Sequence, residues 1–226
     1  KNVSVHSASS IMAATPDRPS IAVLPFANLS TDPEQEYFCD GIAEEVINAL
    51  SNIAGLRVVA RTSAFAFKGQ NKDIRQIGRD LNVSTILEGS LRKSGDRIRV
   101  TAQLINVADG FHIWSERYDR KLDDVFAIQD DISLAIVNQL KIKLLKGEEQ
   151  SIRKRITTNL EAHNLYLKGK YYWNRRTKKF LNQAINLFEQ AVALDPEFAL
   201  AYNGLAEVFV VQLSSDSGNT LLAQKA

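Results

Sequence analysis

Cysteine is nearly absent: Cys39 stands alone in 226 residues. An intrachain disulfide is excluded, and so is a zinc site built mainly from cysteine. A single thiol suits the cytosol and the periplasm alike, so composition leaves the compartment open. Histidine is scarce too. His6, His112 and His163 share no ligand spacing, and no metal or other cofactor is expected. No apolar run approaches the roughly 18 residues that span a bilayer, so no transmembrane helix is expected in this segment. Charge of one sign is also lacking. The 28 Lys and Arg against 26 Asp and Glu leave a formal +2, too little to point to nucleic acid. Lys1 leads into no hydrophobic h-region, which argues against a signal peptide. Two catalytic signatures are missing as well. Phe67-Lys68-Gly69-Gln70-Asn71-Lys72 lacks the second glycine and the Lys-Ser/Thr end of a phosphate loop. Leu87-Glu88-Gly89-Ser90 has no glycine two before the serine, so it is no nucleophile elbow.

What is present is a soluble, core-forming composition, 45% hydrophobic and 24% charged. The length allows one domain or two small ones. Residues 1–19, with Ser4, Ser7, Ser9, Ser10, Pro16 and Pro19, read as a linker. The chain opens at Lys1 rather than Met and stops at Ala226 inside a helical pattern, as expected of a segment of a longer protein.

Ile21-Ala22-Val23-Leu24, ended by Pro25, predicts a buried strand. Ser30-Thr31-Asp32-Pro33-Glu34 is a helix-start signal. Phe38, Ile42, Val46, Ala49, Leu50 and Ile53 then give one helix face, stopped by Gly55. Leu56 to Ala60 reads as a second strand, and Phe65 and Phe67 as an extended segment closing at Gly69. Asp73 caps a short helix through Leu81. The period then changes to two. A strand at Ile86–Lys93, a turn at Ser94-Gly95-Asp96 and a strand alternating Ile98, Val100, Ala102 and Leu104 form a hairpin. Asp109-Gly110 predicts a two-residue turn into a strand from Phe111 to Tyr118. The helical period returns from Asp123 to about Leu145. The expected fold class is α/β, a mixed sheet with helices on one face.

After Gly147 and the basic Arg153-Lys154-Arg155 only helices are expected, at about 160–175, 180–194 and from Ala199 onward. Ala184, Phe188, Ala191 and Pro196, then Tyr202, Leu205, Ala206 and Phe209, resemble the tetratricopeptide repeat, a helix hairpin of about 34 residues. The first unit starts at Leu165, Gly169 and Tyr172, with Gly169 matching Ala206 in the next. Lys168 departs from the usual Leu. The expected organisation is a linker at 1–19, an α/β domain at 20–145, a linker at 146–158, and an all-α segment at 159–226 with one complete and one truncated repeat.

Several motifs in the first domain carry a further resemblance. They include Ser20-Ile21-Ala22-Val23-Leu24-Pro25-Phe26-Ala27-Asn28, Phe38-x-Asp40-Gly41-Ile42-x-Glu44-Glu45 and Val58-Val59-Ala60-Arg61-Thr62-Ser63. Arg99-Val100-Thr101-Ala102-Gln103-Leu104-Ile105 and Trp114-Ser115-Glu116-Arg117-Tyr118-Asp119 follow. With these, residues 20–143 resemble the bacterial TolB amino-terminal-like domain, which often precedes tetratricopeptide repeats. The resemblance implies a place C-terminal to a nucleotide cyclase, winged-helix regulator or Ser/Thr kinase domain. It implies a regulatory or interaction module, with no catalytic residues to carry over. The compartment would follow from whether a membrane helix precedes Lys1.

Two residue sets are candidate sites. Asp40 and Glu44 share a helix face and, with Arg61, could meet a small ligand or a cation. The plainer reading is a solvated face paired with Arg61. In the repeats, the groove-facing positions are His163, Tyr166, Lys170, Trp173, Asn174, Asn203 and Glu207, a set suited to a protein or peptide partner. The basic stretch from Lys168 to Lys179, interleaved with Tyr171, Tyr172 and Trp173, could meet nucleic acid. An acidic partner or a plain surface is preferred. Cys39 has no base near it in sequence and reads as a small buried side chain. The sequence thus predicts a non-catalytic regulatory module that binds a protein through its repeats. The alternative is small-ligand sensing by the α/β domain.

Overall fold

The computed structural model describes residues 18–152 and 157–223. Most of the first expected linker, His6 and the basic run Arg153-Lys154-Arg155 lie outside the described residues. β1 (Ser20–Val23) is buried along its whole length. It needs to be, because it is an inner strand of a six-stranded mixed sheet, flanked on both edges. Its parallel neighbours are β3 (Arg57–Val58) and β4 (Thr85–Ser94). β2 (Ala27–Asn28) resumes the parallel pairing farther along β4, after a break at Leu24-Pro25-Phe26. β5 (Arg97–Asn106) and β6 (His112–Lys121) extend the sheet antiparallel.

Between β1 and β3 runs α1 (Glu36–Ser51), which buries Phe38, Ile42, Val46 and Leu50. It starts later than the Ser30–Pro33 signal predicts. A single 3-10 turn, Pro33–Gln35, comes first, and Gln35 donates to the Asp32 carboxylate at 2.9 Å. The segment expected to be extended at Phe65 and Phe67 is instead α2 (Arg61–Phe65) followed by a turn that Gly69 closes at φ +71°. The reason is a contact that only helical spacing permits: the Arg61 guanidinium lies 4.0 Å over the Phe65 ring, four residues on. α3 (Ile74–Leu81) is capped by Asp73, whose carboxylate accepts from the Arg75 amide at 2.8 Å.

The β4–β5 hairpin turns on two residues, with Gly95 at φ +59°. The β5–β6 loop is longer than Asp109-Gly110 predicts and spans Val107–Phe111. Val107 carries the β4–β5 register one residue further, its amide donating to the Ser84 carbonyl at 3.0 Å, while its side chain packs against Gly78 of α3, which has no Cβ to block it. Asn106 and Asp109 side chains then accept from the Ala108 and Phe111 amides. α4 (Val125–Gln139) stops short of the expected Leu145. Lys141 adopts φ +53°, and the Ile142 amide donates back to the Val137 carbonyl at 3.1 Å, closing the helix.

α1 and α4 cover one face of the sheet, over Val23, Leu87, Val100 and Leu104. The opposite face carries a smaller cluster, Ala22, Ile77, Ile86 and Val107, beneath α3. α5 (Glu148–Ile152) leads to three longer helices: α6 (Leu160–Trp173), α7 (Lys178–Leu194) and α8 (Ala199–Ala223). Asn159 caps α6 and Thr177 caps α7. The three pack in sequence around Phe188, which is fully buried. A Cβ on Gly169 would lie 2.6 Å from its ring, and one on Gly204 2.7 Å. Those two glycines let α6 and α8 close on one aromatic side chain. Gly204, rather than Ala206, makes this contact, and Ala206 is exposed. Among the described residues, no helix is long and apolar enough to cross a membrane.

Candidate functional site

The helical segment is docked on the α/β domain through α1 and α6. Gly41 sits at the closest approach, under Leu167. On either side of it α1 presents acids one turn apart: Glu36, Asp40 and Glu44. Such a stripe repels itself unless it is countered. Lys68, from the turn after α2, lies 2.7 Å from Glu36 and 2.5 Å from Asp40. Arg61 of α2 stands 2.7 Å from Glu44, close enough for an ion pair, although its Nε–H is not aligned for a hydrogen bond. Burial pushes the Asp40 carboxyl up, against the pull of Lys68. Burial also works against the Lys68 ammonium, but its bonds to Asp40 and Glu36 outweigh this and hold its pKa up.

Lys170 of α6 continues the chain of charge across the junction. Its Nζ is 3.6 Å from Glu44 and 3.7 Å from Glu207 of α8. The two candidate sets therefore meet: Asp40, Glu44 and Arg61 adjoin the α6–α8 groove through Lys170. Only about 10 Å³ of free space lies where they join, lined also by Tyr166 and Asn174. That is about the room of one water.

The groove residues divide into two groups. His163 and Tyr166 are buried, at 2% and 6% exposure. The Tyr166 ring packs against Phe198 at 5.1 Å and Phe188 at 5.9 Å. His163 meets Phe126 of α4 edge to face at 4.6 Å, and burial pulls its pKa down to about 4. Lys170, Trp173, Asn174, Asn203 and Glu207 line the more open part. Asn203 donates to Glu207 at 3.0 Å. Lys170 and Arg176 both stack on Trp173, at 4.7 and 3.8 Å. Trp173 Nε1, Asn174 Nδ2 and Glu207 Oε2 are buried without a hydrogen-bond partner among the described residues. Glu207 Oε2 still has the Lys170 ammonium 3.7 Å away, whereas the two donors are unmatched, each a cost to the fold as it stands.

The basic stretch does not form one face. Lys168 reaches to Tyr37 of the α/β domain, Lys170 pairs with acids, and Arg175 lies over Tyr171 and Phe180. Lys178 and Lys179 are exposed. Cys39 is fully buried, and burial, with Glu36 and Asp40 nearby, pushes its thiol up to about 12. Sequence reasoning missed Lys68, Glu36 and Gln129. Lys68 has no local signal, because its partners lie on another helix, and Gln129 looks like any polar residue of a helix face.

The family of the HilA/YgeH-like transcriptional regulator, second domain, matches residues 17–135, more than half of the chain. The chain belongs to this family. The HilA/YgeH-like domain takes in the whole sheet, α1 to α3 and most of α4, and so supplies Asp40, Glu44, Arg61 and Lys68. Beyond it, the chain is 44% identical over 191 residues to a protein named "Putative adenylate cyclase 3" from Rhizobium meliloti (strain 1021). That match covers 84% of this chain and 32% of the relative, so the chain spans about a third of the relative's length. Among solved structures, TolB from Acinetobacter baumannii is 16% identical, with a TM-score of 0.41, covering 57% of this chain and 30% of that one. The lipoprotein GNA1162 from Neisseria meningitidis is 19% identical, with a TM-score of 0.40, covering 56% and 99%. Membership of a regulator-domain family associates the HilA/YgeH-like domain with regulation.

Proposed function

We propose that the chain is a non-catalytic regulatory and protein-interaction module of a multidomain bacterial signalling protein. α6, α7 and α8 open a tetratricopeptide array, and its groove takes a protein or peptide. The observation that carries this reading is the pair of unmatched donors on Trp173 and Asn174, beside the Lys170–Glu207 pair. An extended peptide offers main-chain carbonyls to both donors once their side chains turn toward it, and an acidic side chain would meet Lys170. His163 and Tyr166 serve from beneath, by holding α6 in place. Occupancy is passed to the α/β domain because Lys170 is shared between groove and α1: a partner that draws Lys170 away from Glu44 changes the charge balance on α1. The attached effector would be a nucleotide cyclase, in keeping with the name of the relative, or a transcription factor domain, in keeping with the family.

The test is capture with the full-length protein, read by mass spectrometry, for wild type and for Trp173→Ala and Asn174→Ala. A defined protein is expected with wild type and lost with both variants. No captured protein, or capture indifferent to both substitutions, counts against the reading.

Ligand sensing by the α/β domain is a second reading. Asp40, Glu44 and Arg61 are engaged by protein charges and leave almost no space, so they do not favour it. A separate cavity farther along α1, toward its C-terminal end, does.

A further inference from the structure

A cavity of about 440 Å³ lies between α1, α4 and α5 on one side and α6 and α8 on the other. Its volume is in the range of small-molecule sites. Two of its polar side chains are almost fully buried and lack a partner. Gln129 of α4 is 8% exposed and His163 of α6 is 2% exposed. Gln129 Nε2 and His163 Nδ1 have no hydrogen-bond partner among the described residues. Well-packed interiors avoid such groups, and here both line the same space.

The lining chemistry narrows what could fill it. Gln129 Nε2 is a donor and needs an acceptor. His163 is neutral at physiological pH, since burial pulls its pKa down to about 4. Glu45 of α1 lines the same wall, and burial, reinforced by the charge of Glu44, pushes its carboxyl up to about 7. It can therefore accept or donate. Asn48 and Asn52 add two more amides from α1, and Phe126, Ile152 and Leu200 give apolar walls. Amide side chains offer both donors and acceptors, which the edge of a heterocyclic base requires. Aromatic and aliphatic walls match its faces. The carboxyls of Glu45 and Asp130 on the wall disfavour a phosphate.

We infer that this cavity binds an uncharged nucleobase or nucleoside, whose edge is read by Gln129, His163 and Glu45. Because the walls come from both the sheet-bearing domain and the helical segment, the bound molecule would tie the two together. The site goes beyond the partner groove and stands or falls separately from it.

The test uses the whole chain and four probes, adenosine, guanosine, cytidine and uridine, in titration calorimetry. At least one is expected to bind saturably, one per chain. Gln129→Met and His163→Leu, which keep the volume and remove the polar atoms, should each weaken it tenfold or more. Leu200→Trp, which fills the cavity from α8, should abolish it, with folding checked by circular dichroism. Trp173→Ala should leave it unchanged, so that failure of the groove and failure of this site are told apart. The inference is overturned if none of the four binds at millimolar concentration, as for a cavity holding water only. It is also overturned if binding is equal in Gln129→Met and His163→Leu, or if the 5′-monophosphate binds more tightly than its nucleoside.

Discussion

A Cβ on Gly41 would stand 2.7 Å from Cδ1 of Leu167. The absence of one carbon at this point lets α1 and α6 touch, and with them the two parts of the chain. Gly41→Val should force the helices apart and cost about 1–3 kcal/mol, the usual range for overpacking. Adding Leu167→Ala should recover part of the loss. Chemical denaturation of the single and double variants measures both, and full additivity would show that the two residues do not meet.

Phe188 fills the space between Gly169 and Gly204. Phe188→Ala should cost about 3–5 kcal/mol, as for a fully buried aromatic ring. The loss should fall on α6, α7 and α8. Hydrogen exchange should speed up there while β4 and β5 keep their protection.

Two buried groups give opposite pH dependences. Glu45 is raised from 4.5 to about 7. Between those values the folded state binds the extra proton, so stability falls as pH rises. His163 is lowered from 6.5 to about 4. Between those values the unfolded state binds the extra proton, so stability rises with pH. In the wild type the two trends oppose each other over most of this range. Glu45→Gln should uncover the rise from about pH 4 to 6.5, and His163→Leu the fall from about pH 4.5 to 7. Each trend should be on the order of 3 kcal/mol or less. Urea midpoints taken across pH 4–8 for the three proteins check the signs.

Cys39 should be inert in the native protein. Its side chain is fully buried and its thiol is pushed up to about 12, so almost no thiolate exists at neutral pH. Iodoacetamide should label it only as fast as the core around α1 opens. Prompt labelling in native buffer would place the thiol at the surface instead.

Local chemistry made much of the fold legible. The alternation of Ile98, Val100, Ala102 and Leu104 marks β5 because half its residues face the core. Asp73 announces α3, since a short carboxylate can reach the second amide of the helix. The segment at Phe65 and Phe67 was misleading, because period-two spacing over three residues cannot outweigh Arg61 stacking on Phe65 and pairing with Glu44. The Asp109-Gly110 turn is longer than a two-residue hairpin because Gly110 donates to the Asn106 carbonyl and the Asn106 and Asp109 side chains take the Ala108 and Phe111 amides. At the junction, each residue set could be named from its own helix. That Lys170 joins them could not, because the contact depends on how far α6 settles onto α1 at Gly41. Gln129 escaped notice because its meaning lies in what it fails to touch.

β1 is the first strand of the sheet in sequence, yet both strands that flank it, β3 and β4, come later. On a chain emerging from the ribosome, Ile21, Ala22 and Val23 have no partner on one edge until Arg57 and Val58 are made, and none on the other until Thr85 to Leu87 follow. Meanwhile β4, β5 and β6 need only their own neighbours to form a meander. The parallel part of the sheet therefore closes around its earliest piece only once Leu87 has been made. Through that interval the apolar strand is open to pairing with another chain, and the faster Arg57 to Leu87 are made, the shorter that exposure.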